Sequence, residues 1–504
     1  MSQPQTLNPV VQEDTPQQVD TLGTGTLTIA MNASIETNII APVSHNYSSA
    51  TGGVTRFVLP AKGVLDAPNC SLVISARAAD NEVKYPIYSG GQSLIERITC
   101  RVGGVILSQV IQANDYATMK NFHASIGYRN KVLDARHGSS NGMRQFIRQD
   151  VATANENMSA LYNPELDQVD SWHEPVDTEG KTSQDNKQLR ASKENTYDVV
   201  LRLGDLFPFF RDNKLPLFAM SQVELEIELR KGGLTEDSCV VPAEVGATPA
   251  DGGVVTIDAA DISMNVDYIH YDDEELMKIQ NQVNSGGVRL NFTEVVLTKG
   301  INPQGIADSD VTSNHIIGMA GKEVQGIYVM KLFDRNAVPS ENTQLGHDNA
   351  QTLNLRSQQM RAEKYNFLIN NERVYSSDVE NVAEQHNYLS MIDGAFQPLP
   401  LTYDTMNYNA NMMNVLLGKS ITTDPTQSQK IMAGTCHYIG LNLKKFPELG
   451  AEFNNGTRIS TAPIEFNYTR RCVTDNLSPV NLTFFIEFRR SLTITPLGVN
   501  VSDV

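Results

Sequence analysis

Between Val223 and Arg230 the sequence alternates without a break, Val223, Leu225, Ile227 and Leu229 against Glu224, Glu226, Glu228 and Arg230. A period of two buries one face of a β-strand and hydrates the other, whereas a helix would spread the same glutamates around its whole circumference. The segment is therefore a half-buried antiparallel strand, and the rest of the chain must supply the sheets it joins. Just upstream, Phe207, Phe209, Phe210, Leu215, Leu217 and Phe218 form a dense apolar run interrupted by Pro208 and Pro216. Proline has no N–H to give to a central ladder, so residues 201–222 read as a buried, bent entry into the strand.

Similar short β signals recur at 27–31, 54–59, 72–76, 94–102 and 105–111. Gly103-Gly104 joins the last two as a two-residue turn, and its glycines tolerate the positive φ of a hairpin. Tyr116, Met119 and Phe122 fall at helical spacing, which predicts a short helix within 113–125. A strand with alternating Ile262, Met264, Val266 and Tyr268 runs into Asp272, Asp273, Glu274 and Glu275. Acids crowded at a helix start suit its positive dipole end, and Ser285-Gly286-Gly287 stops the helix. Strands resume at 288–297, 326–333, 365–370, 437–443, 482–488 and 491–499.

The sequence thus reads as a β set, a short helical bridge and a second β set, the pattern of two all-β domains in tandem. Residues 1–23, without a single Lys or Arg, read as a flexible arm. The first domain is placed at 24–283, with long loops at 138–196 and 232–253, and the second at 284–504. Polar, loop-like segments fall at 336–357 and 407–428.

Composition narrows the function. No apolar run approaches the ~18 residues of a membrane helix, and the N-terminus lacks the basic and apolar regions of a secretion signal. Synthesis in a cytosol-like compartment is expected. The five cysteines, Cys70, Cys100, Cys239, Cys436 and Cys472, are scattered and odd in number, which predicts reduced core thiols. Sequons such as Asn291-Phe292-Thr293 and Asn481-Leu482-Thr483 are then chance occurrences. The net charge of −18 argues against gripping nucleic acid, which needs a basic stripe to displace phosphate counterions. Basic residues gather only into isolated pairs, such as Lys444-Lys445, Arg470-Arg471 and Arg489-Arg490, and these read as solvated surface charge.

Local catalytic signatures fail one after another. Gly180-Lys181-Thr182 resembles the end of a phosphate-binding loop, but Pro175 stands where that motif needs its first glycine. Arg136-His137-Gly138 lacks the further arginine of a phosphohistidine site. The acids at 272–275 read as a helix cap, and no histidine pair at metal-ligand spacing accompanies them. No catalytic, cofactor-binding or metal-binding residue is assigned, and no enzyme activity is expected.

The order of these segments resembles the double jelly-roll major capsid proteins of icosahedral DNA viruses, those of virophages, Polinton-like viruses and the large nucleocytoplasmic viruses. Four places carry the likeness. They are residues 88–95 through Gly103-Gly104; Pro208-Phe209-Phe210 through the strand at 223–229; residues 266–275, where a strand meets an acidic helix; and Phe446-Pro447 through Ser460. The fourth departs from the family pattern at Asn454, Asn455, Arg458 and Ile459.

The resemblance implies two eight-stranded antiparallel jelly-roll sandwiches. It implies a homotrimer forming a pseudo-hexagonal capsomer, and capsomers tiling an icosahedral shell. The implied partners are two further copies, neighbouring capsomers, penton and minor capsid proteins and, for the arm, an inner membrane. Sequence-specific nucleic-acid binding is not among them. The implied location is the virion, after synthesis in the host cytoplasm or a virus factory. The alternative is a β-sandwich spike or glycan-binding module, with Trp172-His173 as its one aromatic candidate; a β-sandwich glycosidase ranks below both.

Overall fold

The computed structural model describes residues 17–19, 27–29, 33–78, 83–84, 90–123, 197–232, 238–242, 254–333, 363–380, 439–444, 456–459, 462–472 and 477–503. Two sets of eight strands carry the fold. The first comprises β1 (Ser34–Ile40), β2 (Gly52–Leu59), β3 (Ser71–Ala78), β4 (Ile95–Val102), β5 (Val105–Ile111), β6 (Tyr197–Arg202), β7 (Val223–Leu229) and β8 (Ile262–His270). One sheet runs β1-β8-β3-β6 and the other β2-β7-β4-β5, with antiparallel neighbours throughout.

The second set comprises β9 (Val288–Asn302), β10 (Asp310–Ile317), β11 (Glu323–Phe333), β12 (Lys364–Ile369), β13 (Glu372–Arg373), β14 (Ile439–Asn442), β15 (Ile464–Arg471) and β16 (Val480–Thr495). Its sheets run β9-β16-β11-β14 and β10-β15-β12-β13. Adding eight to every label of the first arrangement yields the second. One topology, with the first strand beside the last, has been built twice: two jelly rolls in an all-β chain. Ser44–Ser48 extends one sheet beyond β2, and Gly498–Asp503 folds back on β16.

The strand at 223–229 lies where its pattern demands. As β7 it sits between β2 and β4, with Val223, Leu225, Ile227 and Leu229 buried. Its approach is folded into two short helices, α2 (Leu203–Leu206) and α3 (Pro208–Asp212), in the same chain region. Pro208 occupies the first turn of α3, where its missing N–H costs nothing. Phe207, Phe209 and Phe210 are fully buried. The β4–β5 turn places Gly103 at φ 56° and Gly104 at φ 84°, the paired positive values that a two-residue hairpin loop requires.

The helix expected at 113–125 is α1 (Ala113–His123), and the acidic bridge is α4 (Asp273–Ser285). Asp272 caps α4 by accepting the Glu275 N–H at 2.9 Å.

Several expectations need correction. The segments 482–488 and 491–499 are not separate strands: β16 runs unbroken through both as far as Thr495. Apolar residues on both of its faces sustain it, and Arg489 and Arg490, which read as surface charge, are held by Glu323 at 3.8 Å and Asp503 at 3.0 Å. Arg470 is no surface residue either. It is fully buried, donating to Asn302 Oδ1 and the Ser478 carbonyl at 2.7 Å each. Inside the expected arm, Gln17–Val19 pairs with Leu27–Ile29. β1, β6, β10, β13 and β15 carry no counterpart among the expected strands.

Cys70, Cys100, Cys239 and Cys472 are free and buried, and burial pushes the first three thiols up to about 12. Cys436 lies outside the described residues, as do the loops at 138–196, 336–357 and 407–428 and most of 232–253.

Candidate functional site

Two sandwiches present four outer sheet faces, and what each face carries sets what the molecule can do. The outer face of β2-β7-β4-β5 is an ion-pair lattice. Glu226, at its centre, lies 3.1 Å from Arg56, 3.7 Å from Arg97 and 3.6 Å from Arg101, while Arg97 also holds Glu228 at 2.8 Å. Cross-strand register places opposite charges side by side, Arg56 beside Glu226 and Arg97 beside Glu228. The glutamate face of β7 is thus the hydrated outside of the first sandwich. The corresponding face of the second sandwich is also polar. Asn314 donates to Glu465 at 2.9 Å, Arg471 pairs with Asp310 at 3.2 Å, and the Thr312 and Thr469 hydroxyls meet at 2.9 Å.

The outer face of β9-β16-β11-β14 is different. One side of this sheet lines the second sandwich's own core, with Ile327, Val329, Leu482, Phe484 and Ile486. The other side, with Val295, Tyr328, Met330 and Phe485, belongs to the apolar core of the first sandwich. This shared face is the seam between the two jelly rolls. Elements α1, α3 and β5 of the first sandwich roof it. Phe209 of α3 meets Phe292 edge-on at 4.8 Å between ring centroids, and Tyr116 of α1 lies 5.9 Å from Phe485.

Polar groups fix the register of the seam. Tyr116 donates its hydroxyl proton to the buried Glu487 carboxylate at 2.6 Å, and Lys120 approaches the same carboxylate at 3.0 Å while donating to the Tyr328 hydroxyl. Asp212 of α3 accepts the Thr293 backbone N–H at 3.1 Å. Glu294 of β9 accepts the Gln109 N–H from β5 at 3.0 Å. A buried polar group must find its partner to avoid a large desolvation cost, so these bonds permit one alignment of the sandwiches and penalise slipped ones.

Burial raises the Glu294 carboxyl from 4.5 to about 7, against the opposing pull of the Gln109 N–H, Ser108, Arg490 and Lys322. The folded state therefore holds this proton more tightly than the unfolded chain does. The stability this confers is fully present below about pH 4.5 and is lost as the pH rises to 7, a change of about 3 kcal/mol. Glu294→Gln keeps an acceptor oxygen for Gln109 but cannot ionise. Denaturant titrations should show the variant losing less stability than the parent between pH 5 and 8 and exceeding it at pH 8. Parallel pH profiles for the two proteins would refute this account.

The motifs weighed from sequence do not assemble into a site. The acids at 272–275 start α4: Asp272 is its cap, and Glu275 is buried against Lys278 at 2.6 Å. Gly180-Lys181-Thr182, Arg136-His137-Gly138, Trp172-His173 and Lys445 lie outside the described residues. Among the described residues no group of three or more His, Cys, Asp or Glu could hold a metal ion, and no described helix is long and apolar enough to cross a membrane. The seam itself was not legible from sequence. Its one signal was a long strand, β16, with aromatic residues on both faces, and the charged Glu487 and Arg489-Arg490 disguised it as two short ones.

No family model matches the chain, and no curated protein matches it by sequence. Solved structures do resemble it. A chain of the Sputnik virophage structure aligns over 100% of this chain and 93% of its own length, at 9% identity and a TM-score of 0.54. VP54 of PBCV-1, in a crystal structure fitted into a cryo-EM reconstruction of the Sputnik virophage, aligns over 94% of this chain and 97% of its own, at 12% identity and a TM-score of 0.51. The mavirus major capsid protein covers 100% and 97%, at 10% identity and a TM-score of 0.45. Identities this low speak to fold and not to function. With one eight-strand topology built twice and end-to-end alignment to the Sputnik and PBCV-1 chains, the protein has the double jelly-roll fold of these virus-derived structures.

Proposed function

We propose that the chain is the major capsid protein of an icosahedral DNA virus, with three copies forming a pseudo-hexagonal capsomer and capsomers tiling the virion shell. The observation that carries this reading is the tandem of two jelly rolls locked through one sheet face, aligned end to end with a chain of a virophage particle. Six sandwiches in three chains give near-hexagonal symmetry from a three-fold ring. The first sandwich is assigned to residues 24–283 and the second to 284–504, a division supported by strand pairing that never crosses it among the described residues. The role is structural, with no catalytic step. Its partners are further copies of itself, neighbouring capsomers, and penton and minor capsid proteins, and its place is the virion.

Sedimentation of the purified chain should give a trimer, and negative-stain images should show roughly hexagonal particles. A monomer that persists at high concentration overturns the reading.

A further inference from the structure

Arg490 stands on β16 with a carboxylate on either side of it. The strand Gly498–Asp503 flanks β16 on one side at this height, and β9 flanks it on the other. Asp503 lies directly opposite Arg490, its Oδ1 3.0 Å from the guanidinium Nε, without the alignment of a hydrogen bond. On β9, Phe292 lies opposite Arg490 and Glu294 sits two residues along, which puts all three charged side chains on one sheet face. Arg490 Nη1 is 3.7 Å from Glu294 Oε2, within reach of an ion pair and beyond a hydrogen bond. Glu294 Oε1 accepts the Gln109 N–H across the seam, but Oε2 is buried without a hydrogen-bond partner. A carboxyl group with one bare, buried oxygen is suited to carrying a proton. Arg490 thus completes neither contact and lies within reach of both.

The other groups around Glu294 leave the choice to Arg490. Lys322, 3.9 Å from Asp503 and 4.2 Å from the Phe488 ring centroid, pulls on both carboxylates. Glu323 is engaged with Arg489 at 3.8 Å. The first sandwich contributes the Ser108 hydroxyl, the Gln109 N–H and the buried Cys100 thiol, none of them charged. Asp212 of α3 is occupied by the adjacent Thr293 N–H at 3.1 Å and by Arg211 at 2.9 Å. We propose that Arg490 is a proton-controlled switch: it fastens Asp503 while Glu294 is protonated and turns to Glu294 when that carboxyl ionises, loosening the strand Gly498–Asp503 from β16. Burial sets the direction. The Glu294 side chain is 7% exposed and that of Asp503 43%, and an ionised carboxylate in the drier site attracts a shared cation more strongly. Because burial raises the Glu294 carboxyl from 4.5 to about 7, the strand is fastened in mild acid and loosened above neutrality. The switch lies within one chain and is independent of the capsomer reading.

The test is hydrogen–deuterium exchange of the full chain at about pH 5.5 and about pH 8.5, corrected for the intrinsic pH dependence of exchange. In the parent, amides of 498–503 should exchange at least about tenfold faster at the higher pH, while those of β7 keep their protection. Glu294→Gln, which cannot ionise, should hold 498–503 protected at both. Asp503→Asn, at a half-exposed position, removes the contact that the switch releases, so 498–503 should exchange fast at both. With its competitor gone, Arg490 serves Glu294 alone. By reciprocity this variant should also lose less stability than the parent between about pH 5 and 8, read by denaturant titration. A parent whose 498–503 amides are equally protected at both values overturns the switch. So does a Glu294→Gln variant that loosens with pH as the parent does. An Asp503→Asn variant with parental exchange and a parental pH profile of stability overturns it as well.

Discussion

Lys331→Met is expected to lower the stability of the protein by about 3–5 kcal/mol, because it strands a buried carboxylate. Lys331 and Glu363 are both buried inside the second sandwich, and the Lys331 ammonium donates to Glu363 Oε1 at 2.6 Å. Tyr468 donates its hydroxyl proton to the other oxygen of Glu363 at 2.9 Å. Burial lowers the pKa of Lys331 and raises that of Tyr468, so the site disfavours charge, and only the pairing keeps it ionised. Removing one partner leaves the desolvation penalty without its compensation. Lys331→Met/Glu363→Gln, which removes both charges, should recover most of the loss. Chemical denaturation decides the matter. A single variant within about 1 kcal/mol of the parent, or a double variant no better than the single, contradicts the account.

Phe209→Ala is expected to cost a similar amount, about 3–5 kcal/mol, and to change the shape of the unfolding transition as well. Phe209 is fully buried, packs against Phe207 and Phe210, and meets Phe292 of β9 across the seam. Its ring is one of the few large groups that belong to both sandwiches. The parent, whose first core runs on into the second jelly roll, should unfold in a single calorimetric transition. With the ring gone, the weakened seam should open first and split that transition in two. A destabilised protein that still melts in one step would show that the coupling lies elsewhere, in the Tyr116–Glu487–Lys120 cluster for example.

The sequence reveals these elements unevenly, for physical reasons. β7 and β8 are plain because each has one wet face and one dry face, which yields strict alternation. β10 escapes notice because its inward residues include Ser313 and His315, so its alternation is polar against polar. β15 alternates cleanly as Ile464, Phe466, Tyr468 and Arg470 inward, but the buried arginine reads as an end to the strand. β1 is hidden by its inverted polarity, with Ile35 and Ile39 exposed. The resemblance drawn from segment order foresaw the tandem jelly rolls. It did not foresee which face locks them together, because the seam residues lie on strands nearly two hundred positions apart, such as Phe292 and Phe485.

The pairing of first strand with last also sets a timetable. β1 finds its only described partner in β8, with Ser34 opposite His270 and Ile40 opposite Met264. On a ribosome that sheet cannot close until roughly 270 residues have emerged. β9 then waits in the same way for β16, Val288 for Ile494. Contacts this distant in sequence make for slow folding. During synthesis Ile35 and Ile39 therefore stand on an unpaired strand, and later Phe209 waits for Phe292 to arrive. A nascent chain with these surfaces open is most prone to wrong pairing with its neighbours on the same message. The rate of elongation through residues 270–290 thereby becomes a control on the yield of folded chain.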